Sequence, residues 1–172
     1  LARVYEATGD LNQAEFALLK ARNMQNSWIN LNALATFYYR TGQLQKALTA
    51  YKQLSHLSPE NDQILQTFGA ILFAQADTKG ALNTFKKALK IAPNGNNYSN
   101  VATVLFYQKK YAESVVFFEQ AVALNPKQLL FWANLADAYR WAGQQEKSIN
   151  SYNQAISLIR QRLQISPDSL RL

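Results

Sequence analysis

Apolar residues recur three and four positions apart along this chain, and short polar stretches break the runs. That spacing is a helical stripe, because residues three and four apart share one face of an α-helix. The runs come in pairs. Leu34-Ala35 and Tyr38 lead to Ala47, Tyr51 and Leu54, and Phe68-Gly69 and Leu72 lead to Ala81, Phe85 and Ala88. Val101-Ala102 and Leu105 precede Ser114, Phe118 and Ala121, while Trp132, Leu135-Ala136 and Tyr139 precede Ser148, Tyr152 and Ala155. The opening residues supply Leu1-Ala2 and Tyr5, then Ala14, Leu18 and Ala21. The pattern predicts helix pairs over 1–8 and 11–23, 28–41 and 44–57, 62–75 and 78–91, 97–109 and 111–124, and 129–142 and 145–165.

Turn residues set a period on these pairs. Pro59, Pro93 and Pro126 lie 34 and 33 residues apart, and Gly9 and Gly42 lie 33 apart. Proline follows each second helix because it lacks the N–H needed to continue one. Gly9, Gly42 and Gly143 stand where a first helix stops, as residues that tolerate a left-handed backbone. Ala or Ser where the paired helices cross lets them approach closely, with aromatic side chains filling the space between. The last unit overruns: a proline due near Arg160 arrives at Pro167. The extra seven residues keep Tyr152, Ile156, Ile159 and Leu163 on one face, so a single long final helix is expected.

This period and these residues resemble the tetratricopeptide repeat (TPR) family, whose ~34-residue helix–turn–helix reads W-x2-L-G-x2-Y, then A-x3-F, then P. Only Trp132 keeps the family's Trp, only Gly69 its Leu-Gly glycine, and Ala76 and Lys109 replace the turn glycine. The resemblance implies an all-α fold, a right-handed superhelical solenoid of helix–turn–helix units with a long final helix. It implies one array: a truncated repeat at 1–27, full repeats at 28–61, 62–94, 95–128 and 129–167, and the start of a further helix or linker at 168–172. A chain opening in mid-helix at Leu1 reads as a piece of a longer protein. Similar long last helices occur in TPR arrays of bacterial multidomain regulators.

Composition narrows the function. With 172 residues, 48% hydrophobic and 17% charged, the chain suits one folded unit with a sizeable interior. The absence of Cys excludes disulfides and thiolate metal sites and fits a reducing compartment, so a cytoplasmic location is expected. No apolar run is long enough to cross a membrane; "AILFAQA" around Leu72 is soon interrupted. The single histidine, His56, falls at a helix end, and no phosphate loop, zinc-type His pair or nucleophile elbow is present. No enzymatic activity, metal, cofactor or small-molecule substrate is therefore expected. The net charge of +7 raises nucleic acid as a partner. Its lysines, including Lys46, Lys86, Lys87, Lys90 and Lys147, fall on second helices, the outer wall in this family, so only weak, salt-sensitive binding is expected.

In the TPR family a concave face lined by the first helices holds the partner. Mapped onto this sequence, the second repeat offers Asn32, Thr36, Tyr39 and Arg40, and the third offers Gln63, Gln66, Thr67 and Phe73. The fourth offers Asn96, Ser99, Asn100, Thr103, Phe106 and Tyr107, and the fifth offers Asn134, Asp137, Arg140 and Trp141. Side-chain amides both donate to and accept from a peptide backbone, so they hold an extended chain without demanding its sequence. Asn100 and Asn134 fall at one repeat position and resemble the start of an asparagine ladder. Phe73 and Phe106 are equally consistent with packing between repeats. The Lys and Asn set by which some TPR domains grip chaperone carboxylates is missing. The expected function is protein–protein interaction, with a peptide segment or helix bound in the concave groove. The alternative is a structural or self-assembly module acting as a homo-oligomer through ends that lack polar caps.

Overall fold

The computed structural model describes residues 2–165, with backbone alone at Arg3, Gln164 and Ile165. Expectations for Leu1, Pro167 and residues 168–172 lie outside the described residues. Ten α-helices follow one another, with no strand among the described residues: α1 Ala2–Thr8, α2 Leu11–Met24, α3 Trp28–Arg40, α4 Leu44–Leu57, α5 Asp62–Ala74, α6 Thr78–Ile91, α7 Gly95–Tyr107, α8 Tyr111–Leu124, α9 Leu129–Trp141 and α10 Gln145–Ile165. The expected all-α helix pairs are present, and the long last helix runs unbroken for 21 residues.

The helices have constant length, 13 residues in α3, α5, α7 and α9 and 14 in α4, α6 and α8. The alternation between 33 and 34 residues therefore lives in the loops between repeats. Three residues join α2 to α3 and α6 to α7, whereas four join α4 to α5 and α8 to α9. One expectation is corrected here: the first helix of the fourth repeat begins at Gly95, not at residue 97. Asn94 caps it, its side chain accepting from the Asn97 N–H at 3.0 Å. Asx caps satisfy a backbone donor that the helix itself leaves open.

Turns inside the repeats close in left-handed backbone. Gly9, Gly42 and Gly143 have φ of 82, 74 and 78°, and Ala76 and Lys109 take the same conformation at 62 and 61°. The two non-glycines accept strain that a missing Cβ removes elsewhere. Gly95 has a different reason: a Cβ there would lie 2.1 Å from Asn125 Oδ1 and 2.9 Å from the Phe131 ring.

The chain divides into two compact units, Leu1–Thr84 and Phe85–Leu172. In the first, Leu31, Leu34, Phe37, Tyr51, Leu54 and Ile71 form the core, joined from the side by Tyr5, Leu18 and Phe68. In the second, Val115, Phe118, Val122, Phe131, Leu135 and Tyr139 do so. The crossing residues Ala14, Ala47, Ala81, Ser114 and Ser148 are all buried. Ser148 also donates to the Ala136 carbonyl at 2.8 Å, so its hydroxyl is satisfied inside the core.

Side chains join successive repeats in a way the periodicity did not announce. Asn30, third in α3, donates its amide to the Ala21 and Gln25 carbonyls at 3.0 and 2.8 Å. Asn97, third in α7, does the same to Ala88 and Ala92 at 3.3 and 2.9 Å. Both follow three-residue loops. After the four-residue loops the third position holds Ile64 and Phe131, both buried. The shorter connection and the amide clasp on the preceding helix end go together.

A second clasp uses tyrosine. Tyr38 donates to Glu15 Oε1 at 3.0 Å, and Lys46 donates to the same oxygen at 2.7 Å while its ammonium lies 5.1 Å from the Tyr38 ring centre. Tyr139, at the same helix position, donates to Glu119, with Lys147 5.3 Å from its ring centre. Lys46 and Lys147 are thus structural partners of tyrosine, not simply solvated outer-wall lysines. Burial and the adjacent carboxylate push the Tyr38 phenol up to about 12 and raise Tyr139 further in the same direction. The hydrogen bond from Lys46 holds the Glu15 carboxyl below its ordinary range.

Candidate functional site

First helices place their polar residues on one face in each unit, and a cavity opens there. In the first unit it measures about 310 Å³ and is lined by Trp28, Asn32, Thr36, Tyr39, Tyr51, Asn61, Gln63, Ile64 and Thr67. Of the expected residues, Asn32, Thr36, Tyr39, Gln63 and Thr67 therefore meet. The Thr36 and Tyr51 hydroxyls are 3.4 Å apart, and the Tyr39 ring stands edge-on to Tyr51 at 6.4 Å. Thr67 turns its hydroxyl back to the Gln63 carbonyl. The side-chain amides of Asn32 and Gln63 are bonded to no described residue, so they are the cavity's open donors and acceptors. Trp28 and Tyr39 stand at its rim, 39 and 40% exposed.

Arg40 and Gln66 lie outside this lining. Arg40 pairs with Glu6 of α1 at 2.5 Å, and Gln66 donates to Asp62 one turn before it. The exposed His56 sits in the last turn of α4, where a helix end favours positive charge.

In the second unit a cavity of about 190 Å³ is lined by Thr103, Phe106, Tyr107, Phe118, Asn134 and Asp137. Its character is more apolar: two phenylalanines and a tyrosine surround one amide and one carboxylate. Thr103 spends its hydroxyl on the Ser99 carbonyl at 2.8 Å. Asp137 accepts from the Tyr152 phenol of α10, and that bond chiefly raises the Tyr152 pKa, with Arg140 pulling the other way. The carboxylate is thereby fixed on the cavity wall, and Asn134 is left as the amide with no described partner.

Asn100 is half-buried on α7 outside this lining, and Ser99 is buried beside it. Arg140 and Trp141 also lie outside, at the far end of α9. Trp141, 60% exposed, stacks on Tyr111 at 5.5 Å, and Tyr111 meets Phe106 edge-on at 5.2 Å. An aromatic row thus runs from the cavity wall to the surface. Trp28, Tyr51, Asn61 and Phe118 were not singled out from sequence as lining. Asn61 had a signal, an Asx residue just before an apolar run, since it caps α5 at 3.1 Å.

Among the described residues no group of three His, Cys, Asp or Glu could hold a metal ion, and no helix is long and apolar enough to cross a membrane.

Repeated helix pairs with polar first-helix faces define a class: all-α repeat proteins of the solenoid type, which present surfaces for binding other proteins. Residues 38–104, 98–125 and 130–162 each match the tetratricopeptide repeat family, and the chain belongs to it. It is 30% identical over 129 residues to the BBSome complex member bbs-4 of Caenorhabditis elegans, covering 73% of this chain. It is 26% identical over 149 residues to a TPR repeat-containing protein of Methanocaldococcus jannaschii, covering 80% of this chain. The chain spans 28 and 26% of the length of these two relatives. Among solved structures it resembles MamA, with a TM-score of 0.87 at 15% identity, covering 95% of this chain and 97% of that one. It also resembles YrrB, a TPR protein with an unusual peptide-binding site, with a TM-score of 0.76 at 16% identity, covering 91 and 82%. At these identities the likeness concerns the fold. The protein is a protein–protein interaction module.

Proposed function

We propose that the grooves on the first-helix faces hold an extended segment of a partner protein. One observation carries this reading: in each unit, side-chain amides with no described partner, half-buried at Asn32 and Asn134 and exposed at Gln63, sit beside exposed aromatic rings. Asn32 and Gln63 accompany Trp28 and Tyr39 in the first unit, and Asn134 accompanies Tyr107 in the second. Amides of this kind bond a peptide N–H and C=O together, while the rings supply contact area at low entropy cost. The cavity volumes fall at or below the range of small-molecule sites, about 300–1,000 Å³, and suit single side chains of a longer ligand. The first cavity suits backbone and polar side chains, and the second suits an apolar or aromatic one.

Binding of a random-sequence peptide library, followed by isothermal titration of the enriched peptide, tests this. Asn134→Ala with Tyr107→Ala should weaken the enriched peptide by about tenfold or more, with the melting temperature unchanged. Enriched peptides indifferent to substitutions in both cavities would refute the groove reading.

A further inference from the structure

We propose that a cavity between the second helices of the first unit binds a small free monocarboxylate with an apolar body. The cavity encloses about 270 Å³. Leu34 and Tyr38 of α3 and Ala50 of α4 form its floor, all buried, and Arg22 of α2 with Lys46 and Gln53 of α4 forms its rim. It shares no lining residue with the first-helix cavity of the same unit. The three helices are consecutive, so the space between them is not a face on which a further repeat stacks.

Charge selects the ligand's head. Glu15 is the only acid on α2, and α4 has none. Glu15 already accepts from Lys46 at 2.7 Å and from Tyr38 at 3.0 Å. Arg22, half-buried, makes one described hydrogen bond, a long one of 3.4 Å to Gln53 Oε1. Among the lining side chains it is thus a cation without an acid, with most of its five N–H donors open to a carboxylate. A single negative charge balances it, and the buried floor below calls for hydrocarbon. Phosphate would bring surplus charge and nothing for the floor. The volume lies just under the usual range of small-molecule sites and suits a ligand of about ten non-hydrogen atoms.

The second unit shows that the joint itself needs no arginine. Tyr139 and Lys147 take the places of Tyr38 and Lys46 there, with Glu119 as the acceptor. At the twelfth place of α8, where α2 has Arg22, stands Val122, 6% exposed in the core. At the seventh place of α8 stands Phe117, where α4 has Ala50. The guanidinium on the wall and the small residue at the base are therefore features of this one joint, not requirements of the repeat.

The test titrates the 172-residue protein with phenylacetate and follows nitrogen–proton NMR correlations. Phenylacetate should bind with a Kd of about 1 mM, move the Gln53 side-chain amide signals and weaken as salt is added. Phenylacetamide has the same shape without the charge and should bind at least about tenfold more weakly. Arg22→Gln should lower the affinity for phenylacetate by about tenfold with the melting temperature unchanged. Ala50→Phe fills the floor and should abolish binding although Arg22 remains; if that variant fails to fold, Arg22→Gln still decides. No binding of phenylacetate, equal binding of the amide, or indifference to Arg22→Gln overturns the proposal. Tighter binding of inorganic phosphate, or of an acetylated dipeptide ending in phenylalanine, also overturns it. The first result would make this a plain anion site and the second a site for a peptide's end.

Discussion

The two units make the same joints with different materials. Asn30 in the first and Asn97 in the second donate to paired carbonyls of the preceding helix end, yet Asn30 is half-buried and Asn97 fully buried. Tyr38 shares its carboxylate acceptor with Lys46, whereas Lys147 beside Tyr139 meets the ring. At the helix starts, Trp28 stands in the open while Gly95 is packed so tightly that no Cβ fits. Equivalent positions in a repeat are thus not energetically equivalent, because the cost of losing a polar contact depends on how much water can replace it.

The largest expected contrast is between the two asparagines. Asn97→Ala strips donors from the buried Ala88 and half-buried Ala92 carbonyls and should cost roughly 2–3 kcal/mol, whereas water can reach the half-exposed site of Asn30→Ala, which should cost about 1 kcal/mol. Urea unfolding of the two variants measures both, and equal losses would break the burial argument. Next come the helix starts. Gly95→Ala must displace Asn125 and the Phe131 ring and should cost about 2 kcal/mol, while Trp28→Ala, at an exposed rim, should cost less than about 1 kcal/mol. A tolerated Gly95→Ala would show that the loop at Asn125 yields.

The tyrosine clasps separate the units by pH. Glu15 has a lowered folded pKa, so its contribution is complete above the ordinary carboxylate value and fades as pH falls through the lower folded one. Tyr38 and Tyr139 have raised folded values, so theirs is complete below about 10 and is lost as pH climbs. For Tyr38 the loss is centred between about 10 and about 12, and Tyr139 titrates later. In a phenolate absorbance titration, Tyr38→Phe and Tyr139→Phe should each delete a late-titrating component. Acid sensitivity should fall in Glu15→Gln.

The smallest effects belong to the turns. Lys109→Gly relieves left-handed strain and should stabilise by about 0.5 kcal/mol, whereas Gly42→Ala introduces it and should destabilise by about 1 kcal/mol. Thermal melts resolve the opposite signs, and a loss on Lys109→Gly would mean that chain entropy outweighs the strain at that turn.

Helix pairing, the period, the buried Ala and Ser crossings and the unbroken last helix were legible in the sequence because each depends on residues within a few turns of one another. Spacing alone puts Leu34, Tyr38 and Ala35 on one face, and a turn glycine needs only its own φ. Part of the candidate site was legible for the same reason: Asn32, Thr36 and Tyr39 share a helix face before any neighbour is considered. Which residues complete it was decided in three dimensions. Trp28, Asn61 and Phe118 enter the cavities, Arg40 is drawn off by Glu6, and Asp137 is fixed by Tyr152. The partners of Asn30, Asn97, Tyr38 and Tyr139 lie on the preceding repeat. The asparagine clasps go with a three-residue loop and a given depth of packing at the joint, whereas the tyrosine clasps form across loops of three and of four residues. A periodic pattern is blind to both, because it records which face a residue takes and not what that face touches.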